Sequence, residues 1–214
     1  MKSVGIIGSG NVGRALAHGF IKYGYSTMIS SRNGETRKKL KDEFEDKLSV
    51  DTPENVSEQC EILVFAVKGN QAKEALTELG VSNLKGKTII DTTNPIEDSA
   101  PENGVLRYTT SINKSLMEEL QEIAPEAHFV KAFSCVGSLH MVDPKFESTP
   151  TMFICGNDPS AKLEVKEIID QFGWEVEDMG AAEAARAIEP LAILWCIPGF
   201  IENSWNHALK LLKK

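Results

Sequence analysis

The sequence predicts an α/β fold built on a doubly wound parallel sheet, and three observations carry that prediction. Short apolar runs alternate along the chain with segments whose apolar residues recur at helical spacing. The first such pair is joined by the glycine-rich turn Gly8-Ser9-Gly10-Asn11-Val12-Gly13. Residues 62–67 form a nearly unbroken apolar run, as expected of a strand covered on both faces.

Residues 4–7 read as the first strand, and Val12, Leu16, Phe20 and Ile21 are spaced as on one helix face, with Gly24 ending that helix. Residues 27–30 give a second strand, 35–44 a second helix, 48–50 a third strand, and Pro53 opens a short helix through Ser57. Strands at 62–67, 87–91 and 128–133 bring the parallel set to six, with helices at 70–79 and 115–123 between them. Residues 96–110 lack periodicity and are rich in Pro, Gly, Asn and Asp, which marks a functional loop. A strand at 151–155, a helix at 160–172, a strand at 174–178 and a helical region at 181–213, broken or kinked by Pro190 and Pro198, complete the chain. The expected organisation is a dinucleotide-binding domain over 1–140 and a small C-terminal α/β extension over 141–214, packed as one unit.

Composition narrows the function. With 42% hydrophobic and 25% charged residues the chain has the balance of an ordinary globular protein. A net charge of −8 removes the general basic face that nucleic-acid binding needs. Apolar stretches such as 191–198 fall short of the roughly 20 residues that span a bilayer, and the apolar strand starts at residue 4, so no membrane insertion and a cytoplasmic location are expected. Cys60, Cys135, Cys155 and Cys196 form no C-x-x-C pair and have no neighbouring His, so no metal site is expected and the thiols read as reduced, mostly buried side chains.

The glycine turn carries the chemistry. It matches G-x-G-x-x-G between a strand and a helix, the context in which Gly8 allows the tight turn, Gly10 the approach of a pyrophosphate and Gly13 close packing of helix on strand, giving the Rossmann-type arrangement. Free N–H groups of Ser9, Asn11 and Val12 at the helix start would meet the phosphate charge. An NAD-binding chain would place an acid about 20 residues past the glycines; here the sequence reads Ser30-Ser31-Arg32-Asn33. Ser31 offers a hydroxyl, Arg32 a guanidinium fork, and Arg37 and Lys38 follow one turn later, which predicts NADP(H).

The strings GSGNVGRALA, SSR, AVKG, DTTNP and VKAFSCVGSLHMVDPKF, with ARAIEPLA at 185–192, resemble dinucleotide-binding proteins related to the NADP oxidoreductases that depend on the deazaflavin coenzyme F420. They are also similar to the cytosolic oxidoreductase domain of the metalloreductases that pass electrons from NADPH to a flavin and, more distantly, to pyrroline carboxylate reductases. The resemblance implies that Ser31 and Arg32 hold the 2′-phosphate, that Val67, Lys68, Asn94 and Pro95 line the nicotinamide ribose, and that residues 131–137 border the transfer site. It also implies hydride transfer between the nicotinamide and a flavin-like or F420-type acceptor.

Hydride transfer between two ring systems asks little acid or base chemistry of the protein. A carbonyl or imine acceptor would need a proton donor; Lys68, Lys131, His140 and Cys135 are candidates, and Ser134 shares their segment where short relatives carry Asn. An NADPH-dependent imine or carbonyl reductase and a non-catalytic dinucleotide sensor therefore remain alternatives. His18, His128 and His207 read as surface or packing residues. Leu191, Ile193, Leu194, Trp195, Ile197 and Phe200 read as core, as a cover for the nicotinamide with Trp195 and Pro198 near its mouth, or as the contact of a homodimer.

Overall fold

The computed structural model describes residues 2–214. Strands β1 (Ser3–Ile7), β2 (Ser26–Ser30), β3 (Ser49–Asp51), β4 (Ile62–Phe65), β5 (Thr88–Asp91), β6 (His128–Lys131), β7 (Thr151–Gly156) and β8 (Glu175–Asp178) form one sheet in the order β3-β2-β1-β4-β5-β6-β7-β8. The first six are mutually parallel. β7 runs antiparallel to β6 through Val130↔Gly156 and Lys131↔Cys155, and β8 lies parallel to β7. The C-terminal α/β segment thus continues the sheet.

Side chains alternate across the strands between two cores. Val4, Ile62, Val64, Ile90 and Val130 pack on one face with Leu16 and Phe20 of α1 (Asn11–Lys22) and Val165 and Ile169 of α6 (Pro159–Gln171). Ile7, Leu63, Phe65, Ile89 and Phe129 pack on the other face. There they meet Val56 of α3 (Pro53–Gln59), Leu76 of α4 (Ala72–Glu78) and Leu120 of α5 (Leu116–Ile123). Burial on both faces explains why these strands read as continuous apolar runs.

Helix starts are set by local chemistry. Asn33 caps α2 (Gly34–Phe44), Thr52 caps α3 ahead of Pro53, Asp158 caps α6 ahead of Pro159, and Ser115 with Glu118 forms a reciprocal capping box on α5. α1 differs: its cap is Gly10, which offers no side chain, and its first turn carries no acid. The positive end of the helix faces outward without a protein partner.

The C-terminal region departs from the expected long helix. A 3-10 turn (Ala182–Ala184) leads into α7 (Ala185–Ile188), Pro190 separates α7 from α8 (Leu191–Glu202), and α8 runs on past Pro198. Residues 203–214 are not helical. Asn203 takes a left-handed conformation (φ 52°) and the Ser204 N–H reaches back to the Pro198 carbonyl, closing the helix end. Trp205 then lies where a side chain on Gly199 would stand. The Thr151 N–H donates to the Leu209 carbonyl, fixing the tail along the sheet. The stretch Ala182–Glu202 is long and apolar enough, by length and composition, to cross a membrane, which corrects the expectation that no stretch reaches that length.

Candidate functional site

The glycine turn joins β1 to α1 at the carboxyl end of the parallel strands, where ligands of such sheets bind. Gly8 has φ +117°, and a side chain there would strike the Ala66 carbonyl; one on Gly13 would strike the Gly8 carbonyl. These two positions exclude side chains for packing reasons. Gly10 is different, since a Cβ there would meet no atom within 4 Å. The space over Gly10 is open cleft.

That cleft has two lobes sharing residues 66–68. The larger, about 360 Å³, lies among the glycine turn, the end of β2 and α4. Ser31 and Arg32 line it, and Ser9 forms part of its floor. The Ser31 N–H donates to the Asp51 carbonyl, while Arg37 Nη1 donates to the carbonyls of Ser31 (2.7 Å) and Arg32 (3.0 Å). Arg37 itself lines a separate shallow surface with Lys38 and Lys41, so it shapes the loop from behind. Arg32 is 59% exposed and its Nη1 lies 3.3 Å from Glu78 Oε2. Glu78, the one acid in this lobe, was missed by sequence reasoning, although Gln71, Ala75 and Glu78 line the lobe at the i, i+4, i+7 spacing of one helix face.

The second lobe, about 280 Å³, is walled by Val12, Val67, Lys68, the loop after β5 and residues 96–98 of the long loop. Gly69 was also missed: a side chain there would strike the Asn94 carbonyl, so the loops after β4 and β5 pass each other only because that position is glycine. Lys68 Nζ lies 3.8 Å from Asp98 and is largely solvent-exposed. Asn94 Nδ2 donates to the Ser134 carbonyl at 2.6 Å, and both Asn94 Oδ1 and Ser134 Oγ are buried without a hydrogen-bond partner. Of these two residues Asn94 lines the lobe, and its orphan acceptor fits a ligand that carries a donor. Pro95 does not line this lobe; its carbonyl accepts from the Thr109 N–H at 2.7 Å and anchors the long loop.

The proton-donor candidates do not gather here. Lys131 is fully buried, 2.7 Å from Asp91 Oδ2 and 2.9 Å from Glu189 Oε1. Burial alone would lower its pKa, but the two carboxylates outweigh it and hold the ammonium above the ordinary lysine value. Burial pushes the Cys135 thiol up to about 12, so it stays a protonated, inert side chain. His140 packs its ring 5.0 Å from Phe146 and lines neither lobe. Trp195 and Pro198 line neither lobe; Trp195 stacks on His207 at 5.0 Å and packs over Gly137. Its bulk is spent on holding the C-terminal tail. Among the described residues, no group of three or more His, Cys, Asp or Glu side chains could hold a metal ion.

Residues 3–95, which contain the glycine turn, Arg32 and the β5 loop, match the family of NADP oxidoreductases, coenzyme F420-dependent. The chain is similar to the metalloreductase STEAP3 of Rattus norvegicus, 29% identical over 199 residues, covering 91% of this chain and 38% of that protein. It thus spans little more than a third of that relative's length. A proposed F420-dependent NADP reductase from Arthrobacter sp. FB24 superposes with a TM-score of 0.92 at 26% identity, covering 100% of both chains. NADP-bound pyrroline carboxylate reductase of Plasmodium falciparum, at 17% identity, shares the fold (TM-score 0.62, 94% of this chain and 65% of that one). Over residues 3–95 the chain is thus similar to the NADP oxidoreductases, coenzyme F420-dependent, and its full-length fold is shared with a proposed F420-dependent NADP reductase.

Proposed function

We propose that the chain binds NADP(H) across the two lobes and transfers hydride between the nicotinamide and a flavin-like or deazaflavin acceptor of the F420 type, in the cytoplasm. The observation that carries the cofactor assignment is Arg32 beside Ser31 at the end of β2, where an acid would select NAD.

The N–H groups at the start of α1, uncapped and backed by the helix dipole, would hold the pyrophosphate over Gly10. Ser31 and Arg32 would hold the 2′-phosphate, with Arg37 fixing the loop that presents them. Val67 and Asn94 would flank the nicotinamide half. When bound, NADPH supplies the hydride; the protein's part is orientation and exclusion of water. Lys131 and Cys135 are sealed in the interior, and the exposed Lys68 is the one remaining donor candidate at the second lobe. This distribution supports a ring acceptor, whose reduction asks no fixed acid of the protein.

The deciding experiment is NADPH oxidation screened against FMN, coenzyme F420, a quinone and a cyclic imine. Turnover with the flavin or deazaflavin supports the proposal. Turnover with the imine alone moves the protein to the imine-reductase class, and turnover with none leaves a dinucleotide sensor.

A further inference from the structure

The loop that walls the second lobe is held from behind by a buried ion cluster. Three ionisable side chains, Asp91 at the end of β5, Lys131 at the end of β6 and Glu189 between α7 and α8, are sealed from solvent. Lys131 Nζ pairs with both carboxylates at 2.7 and 2.9 Å. The extra negative charge is met by α5, whose first N–H groups, those of Leu116 and Met117, donate to Glu189 at 3.0 Å each. Tyr108 of the long loop donates to the Glu189 carbonyl at 2.6 Å.

Burying such a cluster stabilises a fold less than apolar packing of the same volume would, so its geometry needs a reason. That reason lies at Thr93. Asp91 Oδ1 accepts from the Thr93 N–H (2.9 Å) and hydroxyl (2.7 Å), and Lys131 Nζ donates to the Thr93 carbonyl (2.8 Å). Every polar group of Thr93 is therefore bound by the cluster. Its neighbours are tied independently, Thr92 Oγ1 to the Phe65 carbonyl and Asn94 Nδ2 to the Ser134 carbonyl. In this loop Asn94 Oδ1 is buried without a hydrogen-bond partner, and Asn94 lines the second lobe.

We propose that Asp91, Lys131 and Glu189 are positioning residues for the nicotinamide half of the dinucleotide, acting through Thr93 to fix residues 92–94 and linking the α7–α8 junction to the second lobe. The inference rests on the NADP(H) reading. It assigns to Lys131, the buried lysine of the VKAF string, a role in placement and none in proton transfer.

The test compares wild type with Asp91→Asn, Lys131→Met and Glu189→Gln, titrating 2′,5′-ADP, which on the NADP(H) reading reaches only the first lobe, and NADPH, which reaches both. Asp91→Asn turns an amide toward the Lys131 ammonium while keeping an acceptor for Thr93. We expect 2′,5′-ADP affinity within about twofold of wild type, NADPH affinity down about tenfold, and loss of the nicotinamide fluorescence gain on binding. Glu189→Gln keeps the volume and one acceptor oxygen, giving up the bond to one of the two α5 N–H groups, and should show the same selectivity; it decides the matter if Lys131→Met does not fold. Equal weakening of both ligands, in step with lost thermal stability, would reduce the cluster to a structural element and overturn the proposal, as would unchanged NADPH binding in folded variants. A wild type that binds neither ligand refutes the NADP(H) reading itself, a separate result.

Discussion

Arg32 Nη1 and Glu78 Oε2 stand 3.3 Å apart across the larger lobe, so the guanidinium assigned to a 2′-phosphate is already engaged by a carboxylate 46 residues away. Both side chains are well exposed, and such a pair contributes only about 0–1 kcal/mol. A dianionic phosphate would displace Glu78 from Arg32 and then feel its charge. Glu78→Gln should therefore tighten NADPH binding by roughly two- to fivefold at low salt, with a smaller change for NADH and a shrinking difference as ionic strength rises. Titration calorimetry at two salt concentrations reads this out; a weaker NADPH complex would instead give Glu78 a direct ligand contact.

Gly10 faces open cleft, so a larger side chain fits the folded protein and occupies the ligand's place. Gly10→Val is expected to abolish dinucleotide binding while the far-ultraviolet dichroism and melting temperature stay close to wild type. Gly13→Val is the contrast, because its side chain would strike the Gly8 carbonyl and should destabilise the protein itself. Unchanged NADPH affinity in the Gly10 variant would remove the pyrophosphate from this turn.

Glu118 joins the α5 capping box to Arg186 of α7, and the Arg186 guanidinium holds its carboxyl down to about 2. Folding lowers this pKa, so the carboxylate stabilises the fold fully above its unfolded value of about 4.3, and that contribution is lost as pH falls through about 2. Glu118→Gln should lower the melting temperature at pH 7 by roughly 2–4 °C, about 1 kcal/mol, and the gap between the two proteins should close as the pH is lowered through this window. Melting curves from pH 7 to pH 2 check it; a gap constant with pH would mean that the charge contributes nothing.

The parallel strands and the glycine turn were legible in the sequence because their causes are local: two-sided burial writes continuous apolar runs, and a tight turn into a helix writes G-x-G-x-x-G. Ser31, Arg32, Val67, Lys68 and Asn94, all drawn from those segments, line the two lobes. What escaped was set by contacts between distant segments. Gly69 matters through the Asn94 carbonyl, Glu78 through Arg32, and Lys131 through Glu189, 58 residues on, which closes over it. The C-terminal tail reads as helix in the sequence because its apolar residues suit either state; the fold of Trp205 onto Gly199 and the Thr151 N–H bond to the Leu209 carbonyl decide against it.

Arg32 is the residue that sets the proposed preference for NADP(H). A guanidinium on the 2′-phosphate makes charge-assisted hydrogen bonds worth roughly 1.5–3 kcal/mol, about ten- to a hundredfold in affinity, and NADH lacks that phosphate. The most direct measurement is the dissociation constant of NADPH and of NADH for wild type and Arg32→Ala at one stated ionic strength. Wild type is expected to prefer NADPH, and the substitution to weaken NADPH binding by that factor while changing NADH binding less than about threefold. Equal affinity of the wild type for the two cofactors, or equal loss of both in Arg32→Ala, would contradict it.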